Sequence, residues 1–260
     1  MREKFRVWGI YMKEIKKYLE SRLGEYGFYF EDLDCGYVYG FNENLVTDAG
    51  ACIHIPLALA LLKEVEQGNL KLKDTIFMSE ECIEKNTILS YLKPKECTIE
   101  ELLIFMLIQN DNTAYEILVG LLGVDKFNKY MKDIGLKNTK IIDGKLKAET
   151  CAYDLSKCWK IINKTEYICK DNKDFIVNTL KAQPVKDKIA FYYSKGDREN
   201  ISCKGGSINK GENDSCYLNH PKGKFAFTIL SKDIPSDVYG AVTLAKSGKI
   251  AIDIIENSWK

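Results

Sequence analysis

The sequence predicts a mixed α/β protein of the α+β type, in which one antiparallel sheet is assembled from both ends of the chain. Apolar residues alternate along short segments within 26–41 and again within 199–231, which is typical of strands. Between these regions, from about residue 50 to 190, the apolar spacing is mainly helical. Helical segments also precede the first strands and follow the last ones. A sheet flanked by terminal helices, with a helical block inserted between its halves, accounts for this order.

The spacing of apolar residues changes from helical to alternating near Gly24, which predicts a helix followed by strands. Apolar residues at helical spacing over residues 8–23 predict an amphipathic helix, which Gly24 can end. Alternating aromatic residues at 26–30 then predict a strand, and "YVYGF" at 37–41 predicts its hairpin partner.

The middle of the chain predicts a series of helices separated by glycine residues. These helices are expected at 52–67, 98–109, 112–121, 124–134 and 151–163. Three further strands are expected at 199–207, 214–220 and 224–231, followed by a closing helix at 236–257.

These elements predict a single domain, 1–260, with two parts. Residues 1–47 and 195–260 are expected to form the sheet part, and residues 48–194 an all-helical insertion. A cleft between two such parts is where a ligand would be expected to bind.

Composition and charge exclude several classes of partner. The chain has 260 residues, of which 38 are Lys or Arg and 37 are Asp or Glu, so its net charge of +1 predicts no nucleic-acid partner. No apolar run approaches the ~20 residues of a membrane-spanning helix, so no membrane association is predicted. The amino terminus lacks the apolar stretch of an export signal, and a cytoplasmic location is therefore expected.

The cysteine pattern predicts free thiols. The nine cysteines form no C-x-x-C pair, and the only histidines are His54 and His220. Since zinc sites usually combine closely spaced cysteine with histidine, the sequence predicts no metal site, and no cofactor is expected.

Three segments carry a specific resemblance. They are "ACIHIPLALALLKEVEQGNLKLKD", "CTIEELLIFMLIQNDNTAYEIL" and "KGGS" ahead of a strand hairpin. Their order resembles the class A β-lactamase and penicillin-binding-protein superfamily of serine hydrolases, which is marked by S-x-x-K, S-D-N and K-T-G. The resemblance covers nearly the whole chain and implies a β-lactamase/transpeptidase-like fold.

The first motif is degenerate at both chemical positions. Ala51 stands where the family has its nucleophilic serine, and His54 stands where it has the activating lysine. A methyl group cannot attack a carbonyl carbon, so His54 has no nucleophile from which to accept a proton. A structural role for His54, as a hydrogen-bond partner of Asn110 or Asn112, is expected instead.

The other two motifs are altered but keep groups that can bind a ligand. Asn110 replaces the proton-shuttling serine, and an amide cannot fill that role at ordinary pH. Gly205 replaces the hydroxyl residue between Lys204 and Gly206. Backbone N–H groups at Ala51 and Ser207 are expected to form an oxyanion hole. The predicted ligand-binding residues are Asn110, Asn112, Lys204, Gly205, Gly206 and Ser207.

The E-x-x-L-N segment whose glutamate deacylates class A β-lactamases has no counterpart in residues 141–150. The resemblance therefore predicts a catalytically inactive or strongly impaired protein whose cleft binds a small peptide-like or anionic ligand or a protein partner. The alternative is a hydrolase of a cyclic amide or ester that uses Cys52, or water activated by His54. Because positions two apart on a helix point to nearly opposite sides, Cys52 is expected to pack beneath the site, away from His54. The sequence does not decide whether the protein forms a homo-oligomer.

Overall fold

The computed structural model describes residues 12–79, 81, 83–142, 147–164 and 166–259. The helices are α1 (Lys13–Glu20), α2 (His54–Glu66), α3 (Ile88–Leu92), α4 (Ile99–Gln109), α5 (Asn112–Leu122), α6 (Val124–Asp133), α7 (Ala152–Lys164), α8 (Lys170–Lys181), α9 (Lys195–Glu199) and α10 (Asp237–Ser258), and a 3₁₀ turn, Gly50–Ile53, leads into α2. The strands are β1 (Glu25–Asp32), β2 (Val38–Phe41), β3 (Thr47–Asp48), β4 (Thr75–Phe77), β5 (Glu96–Thr98), β6 (Lys140–Ile141), β7 (Ala148–Thr150), β8 (Ile201–Ile208), β9 (Gly211–His220) and β10 (Gly223–Lys232).

The main sheet joins both ends of the chain, as the sequence predicts. Its order is β2-β1-β10-β9-β8, and each adjacent pair is antiparallel. Phe28 on β1 lies opposite Ile229 on β10, so the amino-terminal strand pairs with the last strand. The mixed fold with a sheet from both termini is therefore confirmed.

Both faces of the sheet are covered, which explains why β1 is buried over nearly its whole length. On one face, Phe28 and Phe30 belong to a core that also contains residues of α1 and α10. On the other face, Tyr29 packs in a smaller cluster with Cys52 and Leu155. A strand covered on both sides carries apolar residues at successive positions, and "FYF" at 28–30 has that pattern.

Helix α2 runs through the centre of the helical part. Its residues 54–62 are all buried, and within this part of the helix every side chain except that of His54 is apolar. Such a helix is stabilised by packing more than by intrinsic propensity. The 3₁₀ turn that precedes it is thereby held rigidly against the sheet, at the position where the first motif lies.

The insertion is mainly helical but not exclusively so, which corrects the all-helical prediction. Strands β4 and β5 pair with each other, and β7 pairs with both β6 and β3. These strands have two or three residues each, too few for a sequence period to develop. Helix α8 was not predicted, because its sequence "KDNKDFIVNTLK" is mostly polar and buries only Asn172, Ile176 and Leu180.

The terminal helices differ slightly from their predicted bounds. The predicted helix at 8–23 is observed as α1 from Lys13, and residues 8–11 lie outside the described residues. The closing helix, α10, is capped by Ser236, whose hydroxyl accepts a hydrogen bond from the backbone of Tyr239. Although α10 has 22 residues, neither it nor another helix in the described ranges is long and apolar enough to cross a membrane.

Candidate active site

The first and third motifs meet where the 3₁₀ turn crosses β8. A Cβ atom built on Gly206 would lie 2.5 Å from the backbone nitrogen of Ala51, and one built on Gly50 would lie 2.9 Å from the Ile208 side chain. Gly50 also has φ +50°, a conformation that glycine adopts without strain. Glycine at both positions therefore allows the turn to approach the strand, and Ala51 lies directly against the K-T-G-like segment.

Ala51, which the sequence motif predicts at the position of the family nucleophile, carries only a methyl group. Ala51 is half-buried, and Cys52 next to it is fully buried. The Cys52 thiol donates a hydrogen bond to the backbone oxygen of Lys204 at 3.0 Å, and burial raises its pKa well above the ordinary value. Cys52 thus lies beneath the turn as expected, with its sulfur tied to β8 and protonated.

His54 is buried and uncharged. Its Nδ1 lies 3.0 Å from the backbone oxygen of Met106, and its ring centroid lies 5.1 Å from that of Tyr115. Since a carbonyl only accepts, Nδ1 must carry the proton. Burial, followed by repulsion from Lys204, lowers the pKa of His54 well below its ordinary value. The expected contact with Asn110 or Asn112 is replaced by this bond to the end of α4.

This burial predicts a pH-dependent stability. Below the ordinary pKa of 6.5 the unfolded chain binds a proton at His54 while the folded protein does not, so stability is lost as pH falls. We expect the free energy of unfolding of the wild type, relative to His54→Gln, to fall by up to about 1.4 kcal/mol per pH unit below that value. Denaturant unfolding of both proteins at about pH 7.5 and about pH 5 measures this difference. Parallel profiles for the two proteins would contradict a buried neutral histidine.

The Lys204 side chain points to the carboxyl end of helix α4. The side chain is fully buried, and Nζ donates to the backbone oxygens of Met106 at 2.9 Å and Leu107 at 2.6 Å. Burial lowers its pKa to about 7. Carbonyl groups at the carboxyl end of a helix attract a cation, and here they bind the ammonium group that was predicted to contact a ligand. Lys204 therefore joins β8 to α4.

The second motif forms the junction between α4 and α5. Asn110 ends α4 with φ +55°, a left-handed conformation that asparagine tolerates better than most residues, and its side chain is exposed. Asp111 is buried and caps α5, because its carboxylate accepts hydrogen bonds from the backbone of Ala114 and of Leu89. Asn112 begins α5 and is half-buried. Asp111 thus has the structural role, and Asn110 lies at the surface.

A cleft of about 210 Å³ separates this junction from β8. It is lined by residues 108–110, 183–185 and 187–188, and by Gly205, Gly206 and Ser207. Four of the predicted ligand-binding residues, Asn110, Gly205, Gly206 and Ser207, therefore lie around one opening. Asn112 and Lys204 do not line it.

The cleft contains a cation that the sequence motifs did not indicate. A Cβ atom on Gly205 would lie 3.1 Å from Nζ of Lys188, so the ammonium group occupies the space beside this glycine. Lys188 pairs with Glu212 at 2.8 Å, and the Ser207 hydroxyl donates to the same carboxylate oxygen at 3.0 Å. Burial acts to lower the pKa of Lys188, but Asp214 and Glu212 outweigh it and the pKa is raised. Lys188 is therefore a charged lysine in the cleft.

A profile of the β-lactamase enzyme family matches residues 11–255, nearly the whole chain. The chain belongs to this family. Over 184 residues it is 27% identical to the D-alanyl-D-alanine carboxypeptidase DacF of Bacillus subtilis, which corresponds to 60% of this chain and 47% of that one. The chain thus matches about half the length of this curated relative.

Solved structures confirm the β-lactamase-like fold. A β-lactamase from Sphaerobacter thermophilus superposes with a TM-score of 0.86 at 19% identity, covering 94% of this chain and 97% of that one. The protein PBP-A superposes with a TM-score of 0.87 at 22% identity, covering 95% and 96%. A point mutant of PBP-A has also been solved as an acyl-enzyme complex with penicillin G. At these identities the likeness concerns the fold alone.

The segment that replaces the family's deacylation loop is short. Strands β6 and β7 pair here, and residues 143–146 between them lie outside the described residues. Glu149 on β7 lies opposite Asp48 and forms an ion pair with Lys140 at 3.1 Å. Glu149, the one glutamate in the sequence of residues 141–150, is therefore engaged with a lysine.

A larger opening, of about 610 Å³, lies away from the three motifs. Its lining includes Tyr29, Asp154 and Lys157. The Asp154 carboxylate accepts hydrogen bonds from the backbone of Asn138 and the hydroxyl of Thr139, and Lys157 donates to a backbone oxygen. Since no residue of the three motifs lines this opening, we place the candidate site in the smaller cleft beside β8.

Proposed function

We propose that this β-lactamase family member is not a hydrolase but a binding protein, whose cleft takes a small carboxylate-bearing, peptide-like ligand. The observation that carries the proposal is Ala51. It occupies the turn against Gly206 at which the family places its nucleophile, and it has no group that can form an acyl-enzyme. Catalysis by the family's covalent route is thereby removed.

No neighbouring side chain takes over as nucleophile or base in this proposal. The Cys52 thiol is buried, hydrogen-bonded and of raised pKa, so the reactive thiolate is disfavoured. His54 is buried, and its Nδ1 proton is held by the carbonyl of Met106. Neither side chain is exposed to a substrate in the cleft.

The binding half of the proposal depends on Lys188. Its ammonium group lies beside Gly205, and both residues line the cleft into which a ligand carboxylate would bind. The exposed Ser207 lies next to it on β8 and adds a backbone N–H of the kind that binds oxyanions. The names of the relatives, a D-alanyl-D-alanine carboxypeptidase and a penicillin-acylated protein, agree with a peptide-like ligand.

The size and charge of the cleft limit the ligand. A volume of 210 Å³ is below the ~300 to 1,000 Å³ of ordinary small-molecule sites, so only one or two residues of a peptide would be enclosed. Glu212 already neutralises Lys188. We therefore expect modest affinity for an anion, because Glu212 competes with the ligand for Lys188.

Benzylpenicillin carries both a carboxylate and a strained amide. It therefore tests the binding of a carboxylate and the absence of acylation in one experiment. We expect calorimetry to detect reversible binding and intact-protein mass spectrometry to detect no added mass. Lys188→Met is expected to weaken binding at least about tenfold, because the cation is removed. Glu212→Gln is expected to tighten binding, because it removes the competing carboxylate without removing the cation.

Lys195→Met serves as the matched control, since Lys195 is an exposed lysine on α9 outside the cleft. The opposite directions expected for the two cleft variants separate a ligand contact from general structural damage. A stoichiometric adduct, above all one mapped to Cys52, would refute the non-catalytic proposal. Equal weakening by both cleft variants would refute the role of Lys188.

A further inference from the structure

Two cysteines and an aspartate meet on one face of β8 and β9, and the aspartate lies opposite Gly205 in the strand register. Cys203 and Cys216 are direct partners in the strand register, and Asp214 precedes Cys216 by two positions, so its side chain points to the same face. One ligand atom from each residue lies within 4.8 Å of the other two. All three residues are buried, at 1% to 3% exposure.

The aspartate has an unsatisfied oxygen. Oδ2 of Asp214 accepts a hydrogen bond from the backbone of Ile189 at 3.0 Å, whereas Oδ1 is buried without a well-formed hydrogen bond, although the Cys216 thiol interacts with this carboxylate. A buried carboxylate oxygen without a partner is costly, and such atoms are rare in folded proteins. A cation bound between Oδ1 and the two sulfurs would remove this cost.

We propose that Cys203, Cys216 and Asp214 bind one thiophilic divalent cation of the zinc class. Binding forms bonds from the metal to the two sulfurs and to Oδ1, and the two thiol protons leave to solvent, with no change of oxidation state. Two thiolates and a carboxylate carry three negative charges, so the occupied site has a net charge of −1. Thiolate and carboxylate are established zinc ligands.

The surroundings can hold this charge. The buried ammonium group of Lys186 acts electrostatically on both thiols and donates hydrogen bonds to three backbone oxygens, so its position is well determined. An enclosed cavity of about 10 Å³ borders Cys216, and its lining is otherwise made of apolar residues and Tyr193. This space allows the Cys216 side chain to move when a metal enters.

A cross-strand disulfide is the competing use of the two thiols, whose sulfurs lie 2.7 Å apart. A disulfide would leave Oδ1 of Asp214 without a partner in the core. The metal ion satisfies all three groups at once, which is why we favour it.

The sequence criterion missed this cluster because it relied on closely spaced ligands. Cys203 and Cys216 are 13 positions apart, and only the register of β8 with β9 makes them neighbours. The metal proposal does not rest on the proposed function of the cleft, although Asp214 also acts electrostatically on Lys188.

Cobalt titration tests the site. The parent protein carries Cys35→Ser and Cys169→Ser, which remove the two exposed thiols of the described residues. After reduction and chelation, we expect one Co²⁺ per chain with thiolate-to-metal charge-transfer absorption, and displacement by Zn²⁺. Cys216→Ser should abolish the absorption, and Asp214→Asn should weaken binding at least about tenfold while both thiols remain. Cys158→Ser, at a buried cysteine on α7, should leave binding unchanged.

Absence of charge-transfer absorption in the parent, unchanged absorption after Cys216→Ser, or unchanged Co²⁺ affinity after Asp214→Asn would overturn the proposal. So would a purified chain lighter by two hydrogens in which neither Cys203 nor Cys216 can be alkylated after denaturation, because that outcome identifies the disulfide. If Cys216→Ser does not fold, Asp214→Asn decides the matter with both thiols in place.

Discussion

Gly248→Ala is expected to destabilise the protein by about 3 kcal/mol or more, at or beyond the upper end of ordinary overpacking. A Cβ atom at this position of α10 would lie 1.9 Å from the backbone oxygen of Ile189 and 2.7 Å from its carbonyl carbon. Neither atom can rotate away as a side chain would. The segment that contains Ile189 and helix α10 must therefore separate, and buried contacts between them are lost.

The displacement should also reach the cleft. Ile189 follows Lys188, and its backbone N–H donates to Asp214 at 3.0 Å, so movement of this segment shifts the cation from its place beside Gly205. We therefore expect weaker binding of an anionic ligand in Gly248→Ala, in addition to the loss of stability.

Gly120→Ala is the matched control for this experiment. Gly120 lies within helix α5, and a Cβ atom there would meet nothing within 4 Å. Alanine is favoured over glycine in a helix by up to about 1 kcal/mol, so this variant should be equal to the wild type or more stable. Denaturant unfolding of the three proteins measures both effects. Similar midpoints for the two variants would show that α10 does not approach residue 189 as closely as described.

The double variant Ala51→Ser/His54→Lys is expected to remain a poor enzyme. It restores the two groups of the first motif at positions where the turn already lies against Gly206. It does not restore the proton-shuttling hydroxyl at Asn110, which is an exposed amide, or a deacylating glutamate, since Glu149 is paired with Lys140. Each missing acid–base group costs about 10² to 10⁴ in rate.

Benzylpenicillin hydrolysis by this double variant should therefore stay at least about 10²-fold below that of a working class A enzyme measured alongside it. A triple variant that adds Asn110→Ser is the informative comparison, because it restores one of the two remaining groups at the surface of the cleft. Efficient turnover by the double variant alone would show that Asn110 and the missing glutamate are not obstacles.

The three motif segments predicted the fold and the region of the site, although several of their residues differ from the family motifs. The family likeness placed Ala51 and Asn110 near the glycines of β8, and the structure brings these positions to one region. Local patterns also predicted the flanking helices and the main strands. They did not predict α8, whose helix is stabilised by the burial of only a few residues among polar ones.

The role of each polar group was less predictable than its position. Lys204 was expected to meet a ligand, yet its ammonium group binds the end of α4. Lys188 belongs to no motif, and it enters the cleft only because the segment before α9 passes beside Gly205. A lysine side chain is long enough to reach several partners, so its partner depends on the backbone path of distant segments.

The sequence by itself determined what chemistry is absent. Ala51 has no heteroatom in any conformation, so this side chain cannot act as a nucleophile however the chain folds. Only the tertiary structure decided which of the remaining groups are used and where. Burial makes His54 neutral and ties Cys52 to β8, the approach of residue 188 to Gly205 supplies a cation, and strand pairing joins Cys203 to Cys216. These properties depend on desolvation and on distances between segments far apart in the chain, and a local sequence pattern predicts neither quantity.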